Sequence, residues 1–296
     1  METNKIYNEN CLDTMSKMED NCIDLVLTSP PYDNLRDYNG YSFDFEKVAN
    51  ELYRVTKNGG IVVWVVGDST INGCETLTSF KQALYFKEIG FNIHDTMIYE
   101  KSGMANPSSN RYHQIFEYMF ILSKGKPKTF NPIKDRENKY KGFQGGEQSF
   151  REDYGKRFNI WRYSNGGGNT SKDKVTFKHP APFPETLAKD HISSWSNEGD
   201  VVYDPFMGSG TTAKMALLTG RNYIGSEISQ EYCVIIDDRL KQLVEKKEEG
   251  VITVENIEPI GVRKVKEKIE RNNQLNVKLS ESEFHESKIL KKKIWD

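Results

Sequence analysis

The chain has 296 residues, 36% hydrophobic and 28% charged, with a net charge of −2. That length buries one large core or two modest ones. No apolar run approaches the roughly 20 residues of a membrane helix, and the near-neutral total carries no nucleic-acid signal of its own. Four scattered cysteines, Cys11, Cys22, Cys74 and Cys233, form no C-x-x-C pair and have no histidine at ligand spacing, so neither a zinc site nor a disulfide framework is expected. The polar opening METNKIYNEN lacks the apolar core of a signal peptide, and the chain reads as cytoplasmic.

Residues 23–27, IDLVL, predict a buried strand. Thr28-Ser29-Pro30-Pro31-Tyr32 follows at once, and the two prolines end the strand because neither can donate to a ladder. Residues 43–57 predict a helix with Val48, Leu52 and Val55 on one face, closed by Asn58-Gly59-Gly60. A fully buried strand is expected over 61–66, a helix over 77–89 closed by Gly90, and another buried strand over 118–122. Strands separated by helices imply an α/β fold with a largely parallel sheet.

From Lys124 to Lys178 the periodicity dissolves. This segment holds fourteen Lys and Arg against six Asp and Glu, a glycine triplet at 166–168, and the aromatics Tyr140, Phe143, Phe150, Tyr154, Phe158, Trp161 and Tyr163. So many aromatics argue against disorder, and an inserted module is expected. A basic segment in a slightly acidic chain suits a polyanion. A solvated loop region bearing lysines is the alternative. Regular structure then resumes: a helix over 184–195, a strand over 201–204, a helix over 211–218 ended by Gly220, a strand over 222–226 and a charged amphipathic helix over 230–248. Beyond Gly250 the chain is charge-rich with weak periodicity.

The stretch VVYDPFMGSGTTA, residues 201–213, runs a strand into Gly208-Ser209-Gly210 and then a helix, and Glu227 lies at the end of the next strand. Glycines let a backbone pass close to a ligand, a helix N-terminus offers free N–H groups, and an acid at that point accepts hydrogen bonds from ribose hydroxyls. NAD is one reading, and a tight turn without a ligand is another. Asp204, two residues before Phe206, tilts the choice: a carboxylate there repels a pyrophosphate and suits a cofactor with a cationic amino group, such as S-adenosylmethionine (AdoMet).

Asp204-Pro-Phe-Met-Gly-Ser-Gly-Thr-Thr212 resembles the AdoMet motif of amino-methylating DNA methyltransferases, and Thr28-Ser-Pro-Pro-Tyr32 resembles their catalytic motif. The catalytic motif comes first and the basic insert lies between the two, an order that resembles the β group of these enzymes. The resemblance covers about residues 1–245. It implies a circularly permuted AdoMet-dependent methyltransferase fold, a seven-stranded mostly parallel sheet with helices on both faces and a small inserted recognition module. Residues 1–123 would form the catalytic half, 124–177 the target recognition insert, 178–249 the AdoMet-binding half and 250–296 a charged extension.

The same resemblance implies roles residue by residue. The hydroxyl of Ser29 and the carbonyl of Pro30, aimed by Pro31, would accept the hydrogens of an exocyclic amine and free its lone pair, while Tyr32 stacks on a base flipped from the duplex. The AdoMet contacts would come from Asp204, Phe206, Gly208, Ser209, Gly210, Thr211 and the ribose-binding Glu227. His179-Pro-Ala-Pro-Phe183-Pro184 matches the segment that wraps the methionine part, which brings in Phe183. Where the family often has G-D-C or G-D-A, this chain has Glu9-Asn10-Cys11, so Asn10 and Cys11 stand at the adenine contact. Arg36 in the loop 33–42, and Arg151, Lys156, Arg157 and Arg162 in the insert, are the candidate DNA contacts.

The expected partner is double-stranded DNA, with no membrane and no metal. A homodimer and a cognate restriction endonuclease are left open by the family. Ser29 favours cytosine N4 as the target, with adenine N6 as the alternative. Two readings from other classes are a nucleic-acid-binding relative that has lost catalysis and a protein-glutamine methylase. Intact Ser29, Pro30, Tyr32, Asp204 and Glu227 speak against the first, and the motif order against the second.

Overall fold

The computed structural model describes residues 1–31, 44–103, 109–140, 142–143, 150–164 and 184–248, with backbone alone at 142–143, 150–151 and 246–248. Four predicted features lie outside the described residues: the loop 33–42, the glycine triplet at 166–168, the segment from His179 to Phe183 and the extension 250–296.

The chain opens with β1 (Lys5–Tyr7) and α1 (Cys11–Ser16), followed by β2 (Ile23–Thr28), α2 (Phe45–Val55) and β3 (Thr56–Val66). A short hairpin of β4 (Thr70–Ile71) and β5 (Cys74–Glu75) leads to α3 (Thr78–Glu88), β6 (Asn92–Lys101) and β7 (Phe116–Ser123). The basic segment holds β8 (Lys134–Glu137), β9 (Gly142–Phe143), β10 (Phe150–Arg151), β11 (Tyr154–Lys156) and β12 (Ile160–Tyr163). The last part holds α4 (Glu185–Trp195), β13 (Val201–Asp204), α5 (Thr211–Leu218), β14 (Asn222–Ser226) and α6 (Gln230–Glu248).

Eight strands form one sheet in the order β1-β14-β13-β2-β3-β7-β6-β12. From β1 to β3 every pairing is parallel. β7 runs antiparallel between β3 and β6, and β12 pairs parallel with β6 at the edge. The sheet is therefore mixed beyond β3, and the eighth strand comes from the basic segment. β8 with β11 and β9 with β10 form two small antiparallel pairs beside it.

Alternation divides the core between the two faces. Val26, Val62, Trp64 and Val66 pack with Met15, Val48, Leu52 and Phe86 from α1, α2 and α3. Helices α4 and α5 pack against β2, β13 and β14 from the other face, and α6 lies on α5. Helix α2 forms because Val48, Ala49, Leu52 and Val55 share one buried stripe and the Asp44 carboxylate caps Lys47 N at 3.2 Å. Burial of Val48, Leu52 and Val55 contributes roughly 1.5–3 kcal/mol each.

The helix stops at Val55 rather than at the glycines, and the strand starts at Thr56. Gly59 and Gly60 lie inside β3 because the backbone is crowded there: a Cβ on Gly59 would come within 2.4 Å of Lys128 Cγ, and one on Gly60 within 2.9 Å of the Asp24 carbonyl. Lys124 closes the same end of the sheet. Its ammonium donates to the carbonyls of Tyr53 (2.6 Å) and Thr56 (3.0 Å) and to Asn21 Oδ1 (2.9 Å), and it sits over the Tyr53 ring. The first basic residue of the segment is thus a structural clamp. Lys124→Ala strips a donor from these partly buried carbonyls and should lower unfolding stability by roughly 1–3 kcal/mol, read as a shift of the urea midpoint.

Candidate active site

The carboxyl ends of β1, β14, β13 and β2 meet along one edge of the sheet, because these four neighbours run parallel. In open α/β sheets that edge is where ligands bind. Glu227 follows β14. Its backbone N–H donates to the Tyr7 carbonyl at 3.0 Å, and Asn8 Nδ2 donates to its carbonyl at 2.8 Å, so the N-terminal strand fastens this acid from outside.

Between β13 and α5 the chain makes the turn its glycines promised. Gly208 (φ 54°) and Gly210 (φ 80°) adopt left-handed conformations that favour glycine. A Cβ on Gly210 would also stand 2.9 Å from Ile236 Cγ2 of α6. The turn is closed by Gly210 N–H donating to Met207 O at 2.9 Å, and it is tied to β14 by Met207 N–H donating to Ser226 O at 3.0 Å. The Glu227 carboxylate accepts from Gly208 N at 2.8 Å and Ser229 N at 2.9 Å. It is held against the turn as an oriented acceptor.

Asp204, at the end of β13, is buried. Its Oδ1 accepts from Thr28 Oγ1 at 2.7 Å and from Phe206 N at 3.0 Å, and its Oδ2 accepts from Thr212 Oγ1 at 2.7 Å. Thr28 is the residue before Ser29, and Thr212 is the second residue of α5. One carboxylate therefore joins the Ser29-Pro30 edge to the cofactor-type turn. The sequence placed Thr28 and Thr212 within the two motifs but gave neither a role. The available signals were a hydroxyl ending an otherwise apolar strand and a second one just after the glycines.

Burial raises the Asp204 pKa from 3.8 to about 6 against the pull of its three donors. Glu227 is also raised, first by burial and further by the Asp204 charge. Two buried acids that repel each other suit a ligand with positive charge and would oppose a pyrophosphate.

Ser29 is half-buried, Pro30 buried and Pro31 half-buried, directly after β2. Tyr32, Arg36 and Phe183 lie outside the described residues. Asn10 is exposed and caps α1, its Oδ1 accepting from Leu12 N at 2.9 Å. Cys11 beside it is buried, and burial pushes its thiol up to about 12, far from a reactive thiolate. Phe206 meets Trp64 edge-on at 6.4 Å, and Ser209 and Thr211 are buried in the turn.

The basic candidates part company. Arg157 donates to Asp135 Oδ2 (2.5 and 2.8 Å) and to Asp190 Oδ2 (2.7 Å), and lies over the Trp161 ring. Tyr163 Oη also donates to Asp190, at 2.7 Å. Arg157 thus bolts the basic segment onto α4. Arg162 is exposed and pairs with Glu100, and Lys156 is exposed with its ammonium over Phe130. For Arg151 only the backbone, in β10, is described.

The Asp204 environment sets a pH signature. A carboxylate raised by folding contributes stability below its unfolded pKa, and that contribution is lost as pH climbs through the folded value. Asp204→Asn keeps an acceptor for Thr28 and removes the charge. The stability of the variant relative to the wild type should rise between about pH 4 and about pH 6 and level off above. Thermal melts across that range check it; a flat difference would remove the charge from the account.

The family model for N6/N4 methyltransferases, described as DNA methylase, matches residues 23–238. The orphan methyltransferase M.BamHII of Bacillus amyloliquefaciens is 61% identical over 246 residues, covering 77% of this chain and 93% of that protein. The type II methyltransferase M.MthZI of Methanothermobacter thermautotrophicus is 29% identical over 290 residues, covering 84% and 80%. Among solved structures, the PvuII DNA methyltransferase, cytosine-N4-specific, shares the fold with a TM-score of 0.63 at 19% identity, over 83% of this chain and 93% of that one. The M1.HpyAVI–SAM complex does so with a TM-score of 0.52 at 21% identity, over 79% and 98%. With its strand order, its glycine turn and its Ser-Pro-Pro edge, the chain belongs to the N6/N4 DNA methylase family.

Proposed function

We propose that this DNA methyltransferase methylates cytosine N4 at a specific sequence in double-stranded DNA, using the edge after β2 as its amine slot. One observation carries the reading: Thr28, next to Ser29, and Thr212, next to the glycine turn, hold the same Asp204 carboxylate. Amine slot and cofactor turn are therefore neighbours on one rigid edge.

When bound, AdoMet supplies a methyl group on a sulfonium that leaves as a neutral thioether. The protein's part is to bind, orient and accept hydrogen bonds. Glu227 takes the ribose hydroxyls, and Asp204 and Glu227 together favour the cofactor's positive charge. Phe206, Ser209 and Thr211 shape the turn, and Asn10 and Cys11 flank the adenine end. Ser29 Oγ and the Pro30 carbonyl accept the amine's hydrogens, which draws the nitrogen out of conjugation with the ring, and the proton that the methylated nitrogen sheds would leave from this edge to water. Pro31 fixes the direction of that carbonyl, and Tyr32 and Phe183 complete the slot and the cofactor cover. Holding both reactants in line is the main source of rate.

The neutral, short Ser29 favours cytosine. Adenine N6 is the second reading, since the family includes both chemistries. In the basic segment, Lys156, Arg162 and Arg151 are the proposed phosphate or base contacts, and Arg36 is a further proposed contact. Arg157, with its charge met by two aspartates, shapes the recognition module instead.

Glu227→Ala should weaken AdoMet binding by on the order of 1–3 kcal/mol, a roughly 5- to 150-fold rise in Kd by calorimetry. Unchanged affinity would remove Glu227 from the cofactor site. Nucleosides from DNA methylated by the pure enzyme should contain N4-methylcytosine by mass spectrometry. N6-methyladenine alone would reverse the choice of base and leave the cofactor site standing.

A further inference from the structure

Behind the glycine turn lies a buried charge cluster that the reaction does not use. Arg239 of α6 is 3% exposed. Its Nη1 donates to the Ser209 carbonyl at 2.7 Å and to Thr211 Oγ1 at 3.2 Å, and its Nη2 donates to Glu185 Oε1 at 2.5 Å. The same Glu185 oxygen accepts from Lys214 Nζ of α5 at 2.8 Å. Glu185 and Lys214 are each 5% exposed.

The residues belong to three helices, and all bear on one turn. Glu185 is the first residue of α4, immediately after the segment that ends at Pro184. Ile236, one helical turn before Arg239 on α6, packs against the position where Gly210 has no side chain. Two neighbours on one face of α6 thus define the back of the turn, one by shape and one by hydrogen bonds. Burying charged groups is costly, and a hydrophobic replacement would often hold three helices as well. What a hydrophobic side chain cannot do is hold the Ser209 carbonyl, and with it the Ser209–Gly210 peptide plane, in a fixed direction. A guanidinium does so because its planar fork reaches the turn and Glu185 at once.

We infer that Arg239, anchored by Glu185, is a positioning residue for AdoMet: it sets the glycine turn in its binding geometry from behind, without touching the cofactor. This rests on the reading that the turn holds AdoMet. Its signature is a loss confined to cofactor affinity. Arg239→Lys keeps the charge but lacks the planar fork that reaches the turn and Glu185 at once, so stability and cofactor binding separate.

The test uses the full-length chain with Arg239→Lys, Arg239→Met and, as a control on the site itself, Glu227→Ala. AdoMet Kd is measured by calorimetry, and kcat and KM for AdoMet are measured on cognate DNA, with thermal melts alongside. Arg239→Lys should melt near the wild type, raise Kd and KM for AdoMet by about tenfold or more, and keep kcat at saturating AdoMet within about threefold. Arg239→Met should show at least the same affinity loss with a lower melting temperature. Should Glu227→Ala weaken AdoMet while Arg239→Lys binds it like the wild type, the inference is overturned and the site stands. The inference also fails if kcat of Arg239→Lys drops as far as kcat/KM, which marks general damage. Unchanged binding in all three variants would instead overturn the assignment of the turn to AdoMet.

Discussion

A single buried carboxylate organises the working edge of this protein. Asp204 ends β13, and three donors converge on it from β2, from its own turn and from α5. A carboxylate without such donors would not stay ionised in the interior. With them it still sits at about 6, so the fold holds the charge under tension. In return it fixes the separation and angle of two chain segments 176 residues apart in sequence. The serine slot and the glycine turn are rigid relative to each other because they share this acid. Proximity catalysis requires such rigidity, since small misplacements of the reacting atoms cost large factors in rate.

The rest of the molecule supports that edge from behind and beside. Four parallel strands align their carboxyl ends, and β1 carries the chain's N-terminus round to brace Glu227. Ile236 and Arg239 of α6 form the back of the turn. On the far side of the sheet, β12 joins the basic segment to β6, and Arg157 fastens it to α4 through Asp135 and Asp190. The basic segment is therefore carried on the same sheet whose other half holds the Ser29-Pro30 edge, and under the proposed function a bound sequence and the reacting base would keep one geometry. Stability and function conflict at Asp204 and Glu227, where two acids are kept close and buried. Perturbed acids of this kind cluster at functional sites.

The central, doubly covered strands were legible because burial on both faces writes an apolar run into the sequence, whatever the strand's direction: IDLVL, IVVWVV and YMFIL each lie within a strand. The glycine turn and the helices from α4 to α6 were legible through Pro184, Gly208, Gly210 and Gly220. β6 was missed because NIHDTMIYEK mixes polar and apolar residues near the sheet's edge, and β1 because three residues carry no period. The antiparallel course of β7 has no sequence signature, since direction is set by the connection. Arg157 read as a DNA contact because a sequence displays charges and not their partners: Asp135 is 22 residues before it and Asp190 is 33 after. Arg239 was hidden for the same reason, 54 residues from Glu185 in a helix that reads as merely charged. The serine edge was visible as a motif that began at Thr28, but the hydrogen bond from Thr28 to Asp204 was not, because its partner is 176 residues away.

The central claim is that Thr28 and Thr212 act through one shared carboxylate to align slot and turn. A double-mutant cycle measures this directly: Thr28→Val, Thr212→Val and the pair, scored by the single-turnover rate of methyl transfer to cognate DNA at saturating AdoMet. Valine keeps the shape and removes the hydroxyl. The account predicts that the two losses are not additive, with a coupling of roughly 0.5–3 kcal/mol, because either substitution already releases Asp204 from the joint. Losses that add to within about 0.5 kcal/mol would show the two threonines acting independently, and the shared acid would then not be what holds the site together.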